Sequence, residues 1–176
     1  MLKLLFIVFA SLLLLNCGKK SLPSIHIIKT DEIPWDKKEP CEIIFDDGNK
    51  VWNLNGKIKC RGGMSSKYHK RSFTIELEEK FQFLELPKDD DWVINASYID
   101  KTLMRHKINY DLYSQMNSEN ISPKSIYVKT FLNDNYEGIY LIMEKINAGM
   151  LNLNKKDSSA MFFKDPPIFR KEKLSF

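Results

Sequence analysis

The sequence predicts an α+β fold, in which an antiparallel sheet packs against one helix. Phe73, Ile75 and Leu77 alternate with polar residues, and this period of two is typical of a strand with one buried face and one solvated face. The residues at 46–49, Asp-Asp-Gly-Asn, form a turn sequence that favours a β-hairpin. Apolar residues spaced four apart between 104 and 116 predict an amphipathic helix that covers the sheet.

The composition is that of a single ordered domain. Of the 176 residues, 43% are hydrophobic and 12% are aromatic, with seven glycines and seven prolines, which excludes a disordered or low-complexity chain. The formal net charge of +4 is small and the basic residues are spread along the chain. We therefore expect no nucleic-acid partner.

The amino terminus predicts export. Lys3 precedes an apolar stretch, Leu4 to Leu15, which is too short to span a bilayer and is typical of a signal peptide over residues 1–16. Cys17 follows Leu-Leu-Asn, which resembles a bacterial lipoprotein processing site, where the cysteine sulfur receives a lipid. Asn16 departs from the usual small residue, so an uncleaved anchor or an ordinary signal peptide stays open. We expect an exported protein that a lipid on Cys17 anchors to the cell membrane or the outer membrane.

The rest of the chain predicts a tether and one domain. Residues 17–40 contain three prolines and a strand-like apolar patch, Ile25 to Ile28, and this composition indicates a tether. The folded domain is predicted over residues 41–176. Its strands are expected at residues 42–45, 51–54, 57–60, 72–77, 125–132 and 139–143.

The helix is predicted to begin at Asp100, whose carboxylate can accept hydrogen bonds from the free N–H groups of a first turn. Residues 117–120, Asn-Ser-Glu-Asn, are predicted to end it. We expect its apolar stripe to pack on the sheet. The stripe consists of Met104, Ile108, Leu112 and Met116.

A glycine and serine loop between two predicted strands is the strongest candidate site. Two glycines let the backbone turn without a Cβ clash and expose N–H groups, while serine hydroxyls and paired cations add donors suited to phosphate oxygens. A solvated hairpin with a basic turn is the alternative that this stretch leaves open. The candidate donors are Gly62, Gly63, Ser65, Ser66, Lys70 and Arg71.

Five segments of the chain match motifs of a known family in order and spacing. In this chain they are Arg61-Gly-Gly-Met-Ser-Ser66, Lys70-Arg-Ser-Phe73, residues 86–93 with Asp-Trp-Val, residues 100–112 with Asp-Lys-Thr-Leu-Met-Arg-His-Lys, and residues 123–146. With these segments the chain resembles the CotH family of protein kinase-like proteins, which is known from bacterial spore coats. The resemblance extends from about residue 43 to residue 146, and it implies the fold of a kinase amino-terminal lobe.

The resemblance implies phosphoryl transfer from ATP, in which the protein positions the nucleotide phosphates and Mg²⁺ and neutralises their charge. The loop glycines and serines would cover the phosphates. Lys70 would make the ionic phosphate contact in preference to Arg71, because a compact ammonium suits a phosphate held near Mg²⁺. Met143 and Glu144 would lie where the chain passes the adenine ring.

The resemblance covers the amino-terminal half of the family domain. The family carries its catalytic base and its Mg²⁺ carboxylates in the other half, and the residues after Glu144 contain neither an Asp-x-x-x-x-Asn loop nor a Trp-Asp-x-Asp segment. We expect a truncated kinase domain that is inactive alone, with a protein substrate or the missing second lobe as its partner. The alternative is a noncatalytic surface lipoprotein with a binding or adhesion role.

The remaining candidate residues are cysteines, an arginine, aspartates and histidines, and their spacing predicts no metal site. Cys41 and Cys60 would meet an oxidising environment after export, and both a disulfide and two buried thiols fit their positions. Arg105 suits either contact with a carboxylate or phosphate or exposure to solvent. The three carboxylates of Asp89–Asp91 favour a solvated turn, and the three histidines are too far apart for metal-ligand spacing.

Overall fold

The computed structural model describes residues 21–147, 149–151 and 153, with only the backbone described at positions 64 and 66. The predicted signal peptide and the predicted lipidation site, Cys17, lie outside these residues. No helix in the described part is long and apolar enough to cross a membrane.

Seven strands and one α-helix make up the described part of the chain. The strands are β1 (Ser24–Ile28), β2 (Glu39–Asp46), β3 (Val51–Arg61), β4 (Ser72–Phe81), β5 (Asp89–Asn95), β6 (Ser125–Leu132) and β7 (Asn135–Glu144). The helix, α1, spans Arg105–Met116. A short 3₁₀ turn spans Met64–Lys67.

The strands form a closed barrel in the order β1-β2-β3-β4-β5-β7-β6. Neighbouring strands are antiparallel except β1 and β6, whose parallel pairing closes the barrel. The predicted α+β fold, an antiparallel sheet with one packed helix like a kinase amino-terminal lobe, is therefore wrong. The described structure is mostly β, with seven strands and one α-helix. The apolar patch at residues 25–28 is not part of a tether. It pairs on both sides as β1, which closes the barrel and leaves no free sheet edge.

The main core fills the barrel interior. Cys60 faces Phe73 and Ile58 faces Ile75 across β3 and β4, and all four side chains belong to one buried cluster. The predicted buried face of β4 is confirmed, since Phe73, Ile75 and Leu77 are at most 4% exposed. Each fully buried isoleucine contributes about 1.5–3 kcal/mol to the free energy of unfolding.

The helix α1 lies on the outer wall of the barrel. It contacts this wall through Tyr110, which packs with Tyr127 against Val93, Leu141 and Met143. This small outer cluster is separate from the barrel core. The helix begins at Arg105 rather than at Asp100.

The predicted packing of the apolar stripe on the sheet is wrong. The half-buried side of α1 carries Tyr110 and an ion pair, in which Lys107 Nζ lies 2.8 Å from the Asp111 carboxylate. The stripe therefore faces away from the barrel. Its residues, with their exposed fractions, are Met104 at 50%, Ile108 at 41%, Leu112 at 54% and Met116 at 80%.

Candidate functional site

A groove of about 300 Å³ lies on the outer wall of the barrel beside α1. Its floor comes from β3, β4, β5 and β7, and its walls come from the glycine loop after β3 and from the first half of α1. We call this feature the outer groove. It is lined by Arg61, Gly62, Ser65, Ser72, Val93, Asn95, His106, Tyr110, Met143, Glu144, Lys145 and Ile146.

The register of β3 and β4 turns polar floor residues outward. Cys60 and Phe73 face each other in the barrel core, and successive residues of a strand point to opposite faces. The next facing pair, Arg61 and Ser72, therefore points out of the barrel. The Ser72 hydroxyl donates to Asn95 Oδ1 at 3.3 Å, which ties the start of β4 to the end of β5.

The loop at one end of the outer groove requires glycine at its first position. Gly62 has a φ of 106°, which lies in the left-handed region, and a Cβ at this position would come within 1.8 Å of Ser65 Oγ. Of the four predicted loop residues, Gly62 and Ser65 line the groove. Gly63 stands directly before the 3₁₀ turn, and the side chain of Ser66 lies outside the described part of the chain.

The other end of the outer groove is formed by the end of β7. Met143 is 6% exposed. The Glu144 carboxylate accepts a hydrogen bond from the N–H of Lys124 at 2.7 Å, and burial raises the pKa of this carboxyl above its ordinary value. The structure therefore brings the two predicted adenine-side residues to the same groove as Gly62 and Ser65.

Lys70 lies away from the outer groove, near the barrel end where β4 and β7 begin. Its Nζ donates to the Ile139 carbonyl at 2.6 Å and lies 4.2 Å from the centre of the Tyr140 ring. Gly138 lies next to it, and a Cβ there would be in ordinary van der Waals contact with the Lys70 Nζ at 3.5 Å. Burial lowers the pKa of this ammonium, although the Glu137 carboxylate partly opposes that effect.

Arg71 contacts a carboxylate of the chain itself. Its Nη1 donates to Glu32 at 2.8 Å, and its guanidinium lies 5.8 Å from the centre of the Trp35 ring. The hydrogen bond to Glu32 raises the pKa of Arg71. With Cys60 and His69, Arg71 lines a second cavity of about 380 Å³, so neither of the two predicted cations lines the outer groove.

Arg61 is a groove residue to which the sequence reasoning assigned no role. Its side chain is exposed, and it forms no hydrogen bond or ion pair with any described residue. The surrounding protein nevertheless removes part of its hydration and lowers the pKa of its guanidinium. The sequence signal for Arg61 was its position at the head of the Arg-Gly-Gly motif, immediately before Gly62.

In the acidic run at residues 89–91, Asp91 forms ion pairs within the chain. Asp91 accepts hydrogen bonds from Lys38 at 2.7 Å and from Lys145 at 2.9 Å. Burial opposes the ionisation of Asp91, but these two ammonium groups hold its pKa below the ordinary value. Among the described residues there is no group of three or more His, Cys, Asp or Glu side chains that could hold a metal ion.

The remaining candidates also have contacts of their own. Arg105 Nε lies 3.6 Å from Asp100 Oδ1, so this arginine contacts a carboxylate of the chain. Cys41 and Cys60 are free thiols, since Cys41 faces Gly56 rather than Cys60 across β2 and β3. Burial raises the pKa of both thiols, to about 11 for Cys41.

Comparison with known proteins identifies the family of this chain. The model of the CotH kinase protein family matches residues 58–170, which is more than half of the chain and includes both ends of the outer groove. The chain belongs to the CotH kinase protein family. The resemblance that the sequence motifs predicted is thereby confirmed.

One curated relative of this CotH-family chain is the inner spore coat protein H of Bacillus subtilis (strain 168). The two sequences are 28% identical over 137 residues, which cover 74% of this chain and 36% of that protein. The chain therefore corresponds to well under half the length of this relative.

Proposed function

We propose that this CotH-family chain binds ATP, with Mg²⁺ on its phosphates, in the outer groove. One observation supports the proposal above all others. The fold joins the predicted phosphate-loop residues Gly62 and Ser65 with the predicted adenine-side residues Met143 and Glu144 in a single groove. Its volume of about 300 Å³ is at the lower end of the range for small-molecule clefts.

The donors of the outer groove suit a polyphosphate. Arg61 supplies positive charge, and the hydroxyl of Ser65 supplies a neutral donor. Because the described residues contain no cluster of metal-ligating side chains, Mg²⁺ would arrive bound to the phosphate oxygens. There it would neutralise part of the nucleotide charge.

Calorimetric titration of the purified full chain with ATP and Mg²⁺ tests this proposal. We expect saturable binding with one site per chain. A flat titration at millimolar ATP would contradict the proposal and would favour the alternative function, a noncatalytic surface-binding lipoprotein.

A glycine variant tests whether the outer groove is the ATP site. Gly62→Ala forces a Cβ toward Ser65 Oγ and should weaken ATP binding by about tenfold through the strain it adds to the loop. Gly48→Ala is the matched control, because Gly48 has a φ of 88° and its nearest neighbour to a Cβ is Ser21 Oγ at 3.8 Å. Equal losses of affinity in both variants would place the ATP site elsewhere.

Phosphoryl transfer belongs to this proposal only as the activity of a longer kinase. The aligned segment covers 36% of the curated relative. We therefore assign ATP binding to the described residues, and we assign a catalytic base to none of them. We expect no phosphate transfer from the purified 176-residue chain. Radiolabelled phosphate appearing on a protein acceptor, or on the chain itself, would contradict this expectation.

We also propose that the protein is exported and carries a lipid on Cys17. The apolar segment before Cys17 supports this proposal, and the name of the curated relative places that protein in a spore coat. Radiolabelled palmitate should enter the membrane fraction with the wild-type protein and with Cys41→Ser, but not with Cys17→Ser. Equal labelling of Cys17→Ser would overturn the lipid assignment.

A further inference from the structure

The outer groove contains an arginine, Arg61, whose side chain forms no hydrogen bond or ion pair within the described part of the chain. Arg61 ends β3, faces Ser72 across the strand pair and immediately precedes the tight turn at Gly62. Its outward direction is fixed by the register, because Cys60 and Phe73 of the neighbouring pair are buried in the core. The guanidinium of Arg61 therefore lies in the outer groove, at the end formed by the loop of Gly62 and Ser65.

The other arginines of the described chain are already paired. Arg71 donates to Glu32 at 2.8 Å, and Arg105 lies 3.6 Å from Asp100. The Arg61 side chain forms no hydrogen bond or ion pair with a described residue, while the surrounding protein removes part of its hydration, an effect that Tyr110 only partly opposes. A partly desolvated charge without a partner costs free energy, and an anionic ligand in the groove would offset this cost. The planar guanidinium can donate two parallel hydrogen bonds to a phosphate.

The contacts of Lys70 give it a different role. Its ammonium is held by the Ile139 carbonyl and by the face of the Tyr140 ring. Movement of Lys70 into the outer groove would break the hydrogen bond to Ile139. These contacts make Lys70 a residue that fastens the segment before β4 to β7.

We propose that Arg61 contacts the phosphates of the nucleotide in the outer groove and that Lys70 stabilises the barrel end instead. This inference rests on the proposed binding of ATP. It differs from the sequence-based assignment, in which Lys70 made the phosphate contact.

Substitution of Arg61 should separate phosphate recognition from recognition of the base. The test is calorimetry on the full chain with two ligands, ATP with Mg²⁺ and adenosine. The proteins to compare are wild type, Arg61→Gln and Arg61→Lys. Arg61→Gln should weaken ATP binding by about ten- to a hundredfold and leave adenosine binding unchanged. Arg61→Lys should lose less, because it keeps the charge but not the two-pronged geometry.

Lys57→Gln is the matched control, because Lys57 is an exposed cation on the same strand and does not line the outer groove. It removes one positive charge, so its effect on ATP binding measures the general electrostatic contribution of the chain. Lys70→Met should lower the melting temperature without changing ATP affinity. Thermal unfolding of every variant confirms that the affinities refer to folded protein.

Distinct outcomes would overturn the two proposals. If wild type binds no ATP, the proposed function fails and the role of Arg61 fails with it. If wild type binds ATP and Arg61→Gln binds it equally well, or no worse than Lys57→Gln, the inference fails while the proposed function stands. If Lys70→Met loses ATP affinity and Arg61→Gln does not, Lys70 and not Arg61 makes the phosphate contact. If Arg61→Gln does not fold, two other variants test the inference. Wild-type ATP affinity in Arg61→Ala would overturn it. A larger loss of ATP affinity in Arg61→Lys than in Lys57→Gln would support it.

Discussion

One carboxylate organises the chain that leads into α1. Asp100 Oδ1 accepts hydrogen bonds from the Thr102 N–H at 3.1 Å and the Thr102 hydroxyl at 2.7 Å, while Oδ2 accepts the Arg105 N–H at 2.8 Å. Between them, Leu103 has a φ of 59°, and the Tyr127 hydroxyl donates to its carbonyl at 3.0 Å. The Asp-x-Thr-Leu-x-Arg block therefore has a structural role in starting the helix, and Asp100 satisfies a free helical N–H as the sequence predicted.

Asp100→Asn should lower the melting temperature by about 2–4 °C near neutral pH. The Thr102 hydroxyl and the Arg105 N–H hold the pKa of Asp100 below its ordinary value of 3.8. A carboxyl with a lowered folded pKa stabilises the fold above its ordinary pKa, and this contribution is lost as pH falls through the folded pKa. Thermal unfolding at several pH values should therefore show the difference between wild type and Asp100→Asn shrinking below pH 3.8.

Asp36→Asn is the control for this pH dependence, because Asp36 is exposed. Its melting temperature should match that of wild type at every pH tested. A wild-type advantage over Asp100→Asn that stays constant down to pH 2 would show that the carboxylate charge is not what stabilises the start of α1.

The helix α1 shows why periodicity predicted a helix but not which side of it faces the barrel. An open sheet leaves one apolar face that a helix has to cover, whereas a closed barrel buries its inward faces by itself. The outer wall then offers α1 only the small cluster of Val93, Leu141 and Met143, which Tyr110 covers. The stripe of four apolar residues has no sheet face left to cover, and this long-range condition cannot be read from the helix sequence.

Paired substitutions on α1 test this orientation. Leu112→Lys should change the free energy of unfolding by less than about 0.5 kcal/mol, because Leu112 is 54% exposed. Tyr110→Ala should cost about 1–3 kcal/mol, because it removes the contact of the helix with the barrel wall. Urea unfolding of both variants measures the two values. A larger loss for Leu112→Lys than for Tyr110→Ala would mean that the stripe is buried after all.

Closure of the barrel depends on strand pairings between distant parts of the chain, which local sequence does not reveal. The strands β1 and β6 are about a hundred residues apart, and the Asn133 side chain adds hydrogen bonds of 2.9 and 2.8 Å to the backbone of Lys29. A short apolar patch between prolines therefore predicted a tether where the chain forms a strand. Local motifs singled out Gly62, Ser65, Met143 and Glu144, and all four residues line the outer groove. They did not separate Arg61 from Lys70, since that distinction depends on where the fold places each cation: Arg61 on the outer face of β3 and Lys70 in the segment before β4.

Two neighbouring isoleucines of β1 test whether the barrel is closed. Ile27 is fully buried in the core, whereas Ile28 is 38% exposed, so the two residues share the strand but face opposite sides. Ile27→Ala should cost about 2–5 kcal/mol of unfolding free energy, and Ile28→Ala should cost less than about 0.5 kcal/mol. If urea unfolding shows both substitutions to be neutral, residues 24–28 act as a tether and the barrel is open. A large loss confined to Ile27→Ala requires that β1 inserts its alternate side chains into the core, which a tether cannot do.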